Sequence, residues 1–344
     1  MSLSFKCKSC GAYIEFNPNS SNFLCQYCGA EYSEEEVIAR SAEQEAQSAT
    51  QTQSPSGEVI YQCSSCGAEI VTDETTSATH CYYCKSPVVL TGKLSAAYKP
   101  DRVIPFRFDK QQAQAHFKRF LSGKRYIPKD FFSRSPLEEL TGVYYPYWDA
   151  DYQVDASFQG TGTKVSSTVS GNYRITTTSF FRVVRRGKIR FDNVFRSALR
   201  KNQSQLADGI HPFDQSEEKP YSPAYLAGFL AERRDVDVSD IQSDVEHEIN
   251  DYIKPLLTQD ANYATLSGDT DMQVNSRSFS YVMMPTWVFT YRGIDKETYY
   301  FSMNGQSGKT CGKLPINKGK LFLHSALLAL GGAILALLGG AFLW

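Results

Sequence analysis

The sequence carries little of what an enzyme or a nucleic-acid binder of ordinary kind displays. Its five histidines stand at positions 80, 116, 211, 247 and 324, too scattered to form a metal-ligand pair or a catalytic arrangement. Acidic and basic residues nearly cancel, 37 against 36, for a formal charge of −1 and a pI near 6.5. That balance supplies no global field toward nucleic acid or an anionic membrane. No complete phosphate-binding loop is present. Gly305-Gln306-Ser307-Gly308-Lys309-Thr310 resembles the end of one, yet Met303 stands where its first glycine belongs, and a strand pattern follows instead of a helix. Asn304-Gly305 reads as a hairpin turn. Cys311 has no cysteine near it in sequence and reads as a small packed thiol. The expectation is therefore a protein that is not an enzyme.

Cysteine, by contrast, is concentrated. Cys7, Cys10, Cys25 and Cys28 form two Cys-x-x-Cys pairs, and the same unit returns 56 residues later as Cys63, Cys66, Cys81 and Cys84. Two residues between cysteines let a tight knuckle aim both sulfurs at one ion, and a short β-hairpin between knuckles closes a four-thiolate shell around Zn²⁺. Glycine after the second cysteine, Gly11 and Gly67, permits the left-handed turn a knuckle needs. With four protein ligands no coordination position stays open, so both sites read as structural, holding two Zn²⁺ in all. No apolar signal segment follows Met1, which disfavours disulfides, and a redox Cys-x-x-Cys would not come in matched duplicates. An iron–sulfur cluster takes the same four thiolates, and spacing alone separates it from zinc less sharply.

The expected fold class is α+β: two tandem small β zinc ribbons, an α+β domain with antiparallel sheets, and a C-terminal transmembrane helix. The boundaries are ribbon 1 over 1–33, a flexible linker over 34–57 whose first part is helical, ribbon 2 over 58–92, the α+β domain over 98–315 and the membrane helix over 321–343. Within the large domain, Asp109 caps a helix with an apolar stripe of Ala113, Phe117, Phe120 and Leu121. Gly160 and Gly162 mark a turn, and strands 172–186 and 188–195 join around Gly187. Ser222-Pro223 starts a helix through Arg234, and Ser239 starts another through about Leu257. Pro285-Thr286-Trp287 echoes Pro146-Tyr147-Trp148 at an offset of 139, the sign of an internal duplication.

From Leu321 to Leu343 no charge occurs. Such a helix would be roughly 34 Å long, enough for a bilayer core of about 30 Å. Lys313, Lys318 and Lys320 precede it, so the N-terminal domains should face the cytoplasm with one span in the inner membrane. Ser325, Ala329 and Ala333, with Gly332, Ala336 and Gly340, give that helix a small-residue face through which copies could associate.

The ribbons, Ser222-Pro223-Ala224-Tyr225-Leu226-Ala227-Gly228-Phe229, Met284-Pro285-Thr286-Trp287 and Phe301-Ser302-Met303-Asn304-Gly305-Gln306-Ser307-Gly308-Lys309 resemble a family of bacterial membrane-anchored proteins with TFIIB-type zinc ribbons. Members are often labelled as relatives of the primosomal helicase through the ribbon alone. The resemblance implies a non-enzymatic scaffold, encoded in some bacteria beside phage-shock-protein-A-like and band-7-like membrane proteins and linked to envelope stress, with those proteins as partners. It also implies the eight cysteines as zinc ligands. The alternative reading is a membrane-tethered nucleic-acid-binding protein using the ribbons and the basic run Arg182, Arg185, Arg186, Lys188, Arg190, Arg196, Arg200 and Lys201, opposed in sequence only by Asp192.

Overall fold

A computed structural model describes residues 5–48, 59–62, 69–72, 75–81, 87–90, 98–128, 140–200, 209–292 and 297–342. In chain order the elements are β1 (Ile14–Asn17), β2 (Asn22–Cys25), β3 (Glu31–Tyr32), α1 (Glu34–Ser48), β4 (Val59–Gln62), β5 (Glu69–Thr72), β6 (Thr76–His80) and β7 (Pro87–Val89). There follow β8 (Arg102–Val103), α2 (Lys110–Ser122), β9 (Thr141–Ser170), β10 (Tyr173–Ser197), β11 (Lys219–Pro220), β12 (Leu230–Glu232), α3 (Val238–Thr258), β13 (Thr265–Arg292), β14 (Thr298–Asn304), β15 (Thr310–Gly312) and α4 (Lys318–Phe342). The chain is α+β, with antiparallel and mixed sheets and an apolar C-terminal helix. It divides into two compact units: Met1–Tyr145 with Lys201–Arg233 and Met283–Trp344, and Pro146–Arg200 with Arg234–Val282. The two segments that echo each other, around Trp148 and Trp287, fall in different units.

In the first unit, β1, β2 and β3 form a small antiparallel sheet. Helix α1 begins where the Ser33 hydroxyl accepts the Glu36 amide, and Glu34, Glu35 and Glu36 suit the positive end of its dipole. The expected flexible linker is thus helical for 15 residues. What holds it is tertiary: Val37 and Ser41, one turn apart, are buried, and the Arg40 guanidinium donates to the Lys6 carbonyl at 2.8 Å. Phe16 and Phe23 meet the Tyr225 ring at 5.5 and 6.4 Å, and the Phe16 amide donates to the Ala227 carbonyl at 3.1 Å. Ribbon 1 is therefore fixed to the body of its unit rather than carried on a mobile arm. Gly228 has φ +94°, and a Cβ there would lie 3.1 Å from that of Glu15, so glycine allows this docking.

The expected helix from Ser222 to Arg234 is a correction. Ser222 does cap a turn, but only a short 3-10 turn, Pro223–Leu226. Leu230 and Ala231 then pair in parallel with Val143 and Tyr144, and Ala231 pairs antiparallel with Ala78 of β6. Periodicity cannot report such long-range pairing. The same ladder takes β6 and β7 of the second ribbon region into the sheet. The unit's core is aromatic: Phe106 stacks on Phe229 at 4.2 Å and meets Tyr144 and Trp287 edge-on at 5.0 and 5.1 Å. Helix α2 follows expectation, with Asp109 in a capping box and Ala113, Phe117 and Leu121 buried, while Phe120 stays half-buried.

In the second unit β9 and β10 form one long antiparallel hairpin whose turn is Gly171-Asn172, with Gly171 at φ +59°. Neither Gly160-Gly162 nor Gly187 is a turn. A Cβ on Gly160 would lie 2.2 Å from the Ser267 carbonyl oxygen, and one on Gly162 2.5 Å from the Tyr263 ring. These glycines mark close approach inside a strand rather than a reversal. The strand expected to resume at Phe279 already begins at Thr265. Helix α3 covers this sheet, burying Ile241, Val245, Ile249 and Ile253 against Ala150, Tyr152, Val154 and Ala156.

Candidate metal centre

Two equivalent knuckles build the centre. The Gly11 amide donates to the Cys7 carbonyl at 3.0 Å and the Gly29 amide to the Cys25 carbonyl at 2.9 Å, with both glycines in the left-handed region at φ +75° and +72°. The Cys7 and Cys25 amides in turn donate to the Ala12 and Ala30 carbonyls at 2.6 and 2.9 Å. Strands β1 and β2 pair Ile14 with Cys25 and bring the knuckles together. The four sulfurs all lie within 4.8 Å of one another, Cys7 to Cys28 at 3.6 Å and Cys10 to Cys25 at 3.5 Å. A tetrahedron on Zn–S bonds of about 2.3 Å has edges of about 3.8 Å, so these residues fit a metal ion.

Electrostatics asks for a cation as well. The hydrogen bond from the Tyr32 phenol holds Cys7 down to about 5. Cys25 is lowered by the backbone amide of Cys28. Cys10 rises to about 12: the Ala12 backbone opposes the rise, but desolvation and the three neighbouring thiols outweigh it. Cys28 is raised too, against the pull of Ala30. Four thiolates at this spacing repel one another until a positive ion sits among them. Tyr32 is the residue the sequence did not single out. Its hydroxyl lies 3.0 Å from Cys7 Sγ and accepts the Lys8 amide at 2.8 Å, while Arg40 stands 6.0 Å over its ring.

Of the second set, Cys81 is buried, and Cys63, Cys66 and Cys84 lie outside the described residues. The basic run on β10 is less free than its sequence suggests. Arg190 pairs with Asp192 at 2.6 Å, Arg196 pairs with Glu248, and Arg200 reaches Asp240 at 2.7 Å. Asp192 is therefore not its only acidic neighbour. Arg182, Arg186 and Lys188 remain exposed.

The loop resembling a phosphate-binding motif is a structural clamp. Buried Asn304 donates to the carbonyls of Ile210 and Pro212, both at 3.1 Å, and accepts the Gln306 and Ser307 amides at 2.8 and 2.9 Å. Gln306 ties the Asp214 amide and carbonyl and Glu217. A groove of about 690 Å³ lies in the same unit, lined among others by Glu15, Asn17, His80, Asp109 and Trp287. Its mixed charges present no nucleophile with a base and an orienting group.

Helix α4 supplies the remaining feature. Over Lys318–Ala336 the mean hydropathy is 1.6 with none of the span buried, so it is long and apolar enough to cross a membrane. Asn317 caps it, accepting the Lys320 amide at 3.0 Å, and the Asn317 amide donates to the Tyr126 carbonyl at 2.7 Å.

Fold and site together define an α+β protein with a four-cysteine cluster able to hold a metal ion and one apolar helix long enough to span a bilayer. Over 361 aligned positions the chain is 30% identical to the uncharacterized protein YdjG of Bacillus subtilis (strain 168), covering 99% of this chain and 100% of that protein. The chain belongs to the YdjG family. No protein-family model and no solved structure matches it.

Proposed function

We propose that this protein is a non-enzymatic, membrane-anchored scaffold of the TFIIB-type zinc-ribbon kind. It carries two structural Zn²⁺, one on Cys7, Cys10, Cys25 and Cys28 and one on Cys63, Cys66, Cys81 and Cys84. The observation that supports this reading best is the closed four-thiolate geometry of the first cluster: all ligands come from the chain, so the metal shapes a surface rather than activating water. Around it Cys10, Cys28 and Tyr27 are exposed, Tyr27 at 83%, the disposition of a docking knuckle for a partner protein. Helix α4 holds the units at the cytoplasmic face of the inner membrane, in the setting of envelope maintenance, where phage-shock-protein-A-like or band-7-like proteins are the candidate partners. Crosslinking in intact cells followed by mass spectrometry tests this. Tyr27→Ala should remove the crosslinked partner while the protein stays in the membrane fraction, and an unchanged set of partners would reject the docking role.

A second reading rests on exposed Arg182, Arg186 and Lys188, which share one face of β10 and suit a polyanion. Non-specific affinity for DNA no tighter than about 10⁻⁴ to 10⁻⁶ M at physiological salt leaves the scaffold reading in place. Sequence-specific nanomolar binding would replace it.

A further inference from the structure

The hairpin of β9 and β10 outruns its support. Strand β13 begins at Thr265, whose hydroxyl meets that of Thr163 at 2.6 Å, and the Ala264 amide donates to the Thr163 carbonyl at 2.7 Å. Beyond that point β10 pairs only with β9 among the described residues, with Val165 opposite Thr178 and Tyr173 opposite Ser170. Both faces of this extension are exposed, including Val169 at 68%, Tyr173 at 77%, Ile175 at 56% and Phe180 at 72%. A two-stranded ribbon without a covered face is only marginally stable in water. The segment 165–181 holds one charged residue, Arg174, and no proline, and the one irregularity of the hairpin lies far off, between Phe191 and Val194. The devices by which proteins blunt a free strand edge are missing here.

We propose that this arm is a self-association surface, in which the outer edge of β10 pairs antiparallel with the same edge of a second copy about a two-fold axis at Thr177. Charge selects this occupant. An edge with one cation in seventeen residues offers nothing to an acidic or basic partner, whereas its own copy is equally neutral. Centring on Thr177 uses the whole stretch Tyr173–Phe181. It sets Arg174 opposite the second copy's Phe180, a cation–π pairing, and Tyr173 opposite its Phe181, with no like charges facing. A lipid occupant is disfavoured, because two open edges would carry unpaired amides and carbonyls into hydrocarbon.

The test uses the full-length protein in detergent micelles. Oxidised Thr177→Cys protein should give a disulfide-linked dimer in yield about tenfold above Ser167→Cys, which lies on the other strand, and above wild type. Thr177→Lys should lower the dimer fraction seen by light scattering about tenfold, with the circular dichroism unchanged, since two ammonium groups then meet at the axis. The tail's small residues could also hold copies together, so position dependence decides. Equal yields at 177 and 167, an unaffected dimer in Thr177→Lys, or a fluorophore at position 177 buried by added lipid vesicles would overturn the proposal.

Discussion

Tyr32 hydrogen-bonds Cys7: its hydroxyl, 3.0 Å from the sulfur, already accepts the Lys8 amide and so turns its own proton toward the thiolate. This contact orients one metal ligand and stabilises its charged form, the two services by which residues behind a metal shell hold the ion. Tyr32→Phe should therefore keep the fold yet lower metal affinity about tenfold, within the 10- to 100-fold range for such contacts. Competition with a chromophoric chelator measures it, and affinity equal to wild type would assign the phenol a packing role only.

Metal content gives the second prediction. The protein should carry two zinc ions per chain, and Cys25→Ser with Cys28→Ser should remove one. Because Phe16 donates to Ala227 and packs on Tyr225, loss of that ion should also loosen the Ser222–Phe229 stretch, visible as faster amide exchange there. Exchange changes confined to residues 5–32 would show that the ribbon folds independently of its dock. Iron in place of zinc would move the site to the iron–sulfur class.

How much of this was legible in the sequence depends on how local each cause is. The knuckles were, since Cys-x-x-Cys-Gly encodes its own turn, and so was the membrane-length helix, which needs only composition. The parity of β10 was also legible: Val183, Arg185, Gly187, Ile189 and Phe191 are the less exposed set and Arg182, Arg186, Lys188 and Arg190 the exposed one. Its partner was not, because Gly160 and Gly162 look like punctuation until the strand that crosses them is known. Likewise Ser222-Pro223 signals a helix start correctly, but the three residues of β12 are a strand only because β9 and β6 flank them. Tyr32 was missed because a tyrosine 25 residues from its cysteine carries no local signal.

The Asn304 clamp yields the third prediction. Asn304→Ala leaves two carbonyls and two amides without their buried partner, and should destabilise the first unit by about 2–4 kcal/mol in denaturant titration. Asn304→Asp should fare little better, since a carboxylate accepts the amides but cannot donate to the Ile210 and Pro212 carbonyls. A loss below about 0.5 kcal/mol would mean the loop is held by Gln306 alone.

The last prediction concerns pH. Burial, and then the nearby Lys309 ammonium, push His211 down to about 4 from an ordinary value near 6.5. A base whose folded pKa is depressed is neutral in the native state while the unfolded chain takes up a proton, so stability rises with pH between about 4 and 6.5 and is flat above. The difference caps the effect at about 3 kcal/mol, lost as the medium is acidified from 6.5 toward 4. His211→Gln cannot titrate and should flatten that segment of the profile, measured as the urea midpoint at pH 7.0 and 5.0, whereas wild type should lose midpoint over the same interval. Lys309→Met, removing the second cause, should bring the onset of the loss to lower stability cost by raising the His211 pKa toward its ordinary value. Parallel profiles for wild type and His211→Gln would show that the imidazole is as free to protonate in the folded protein as in the unfolded one.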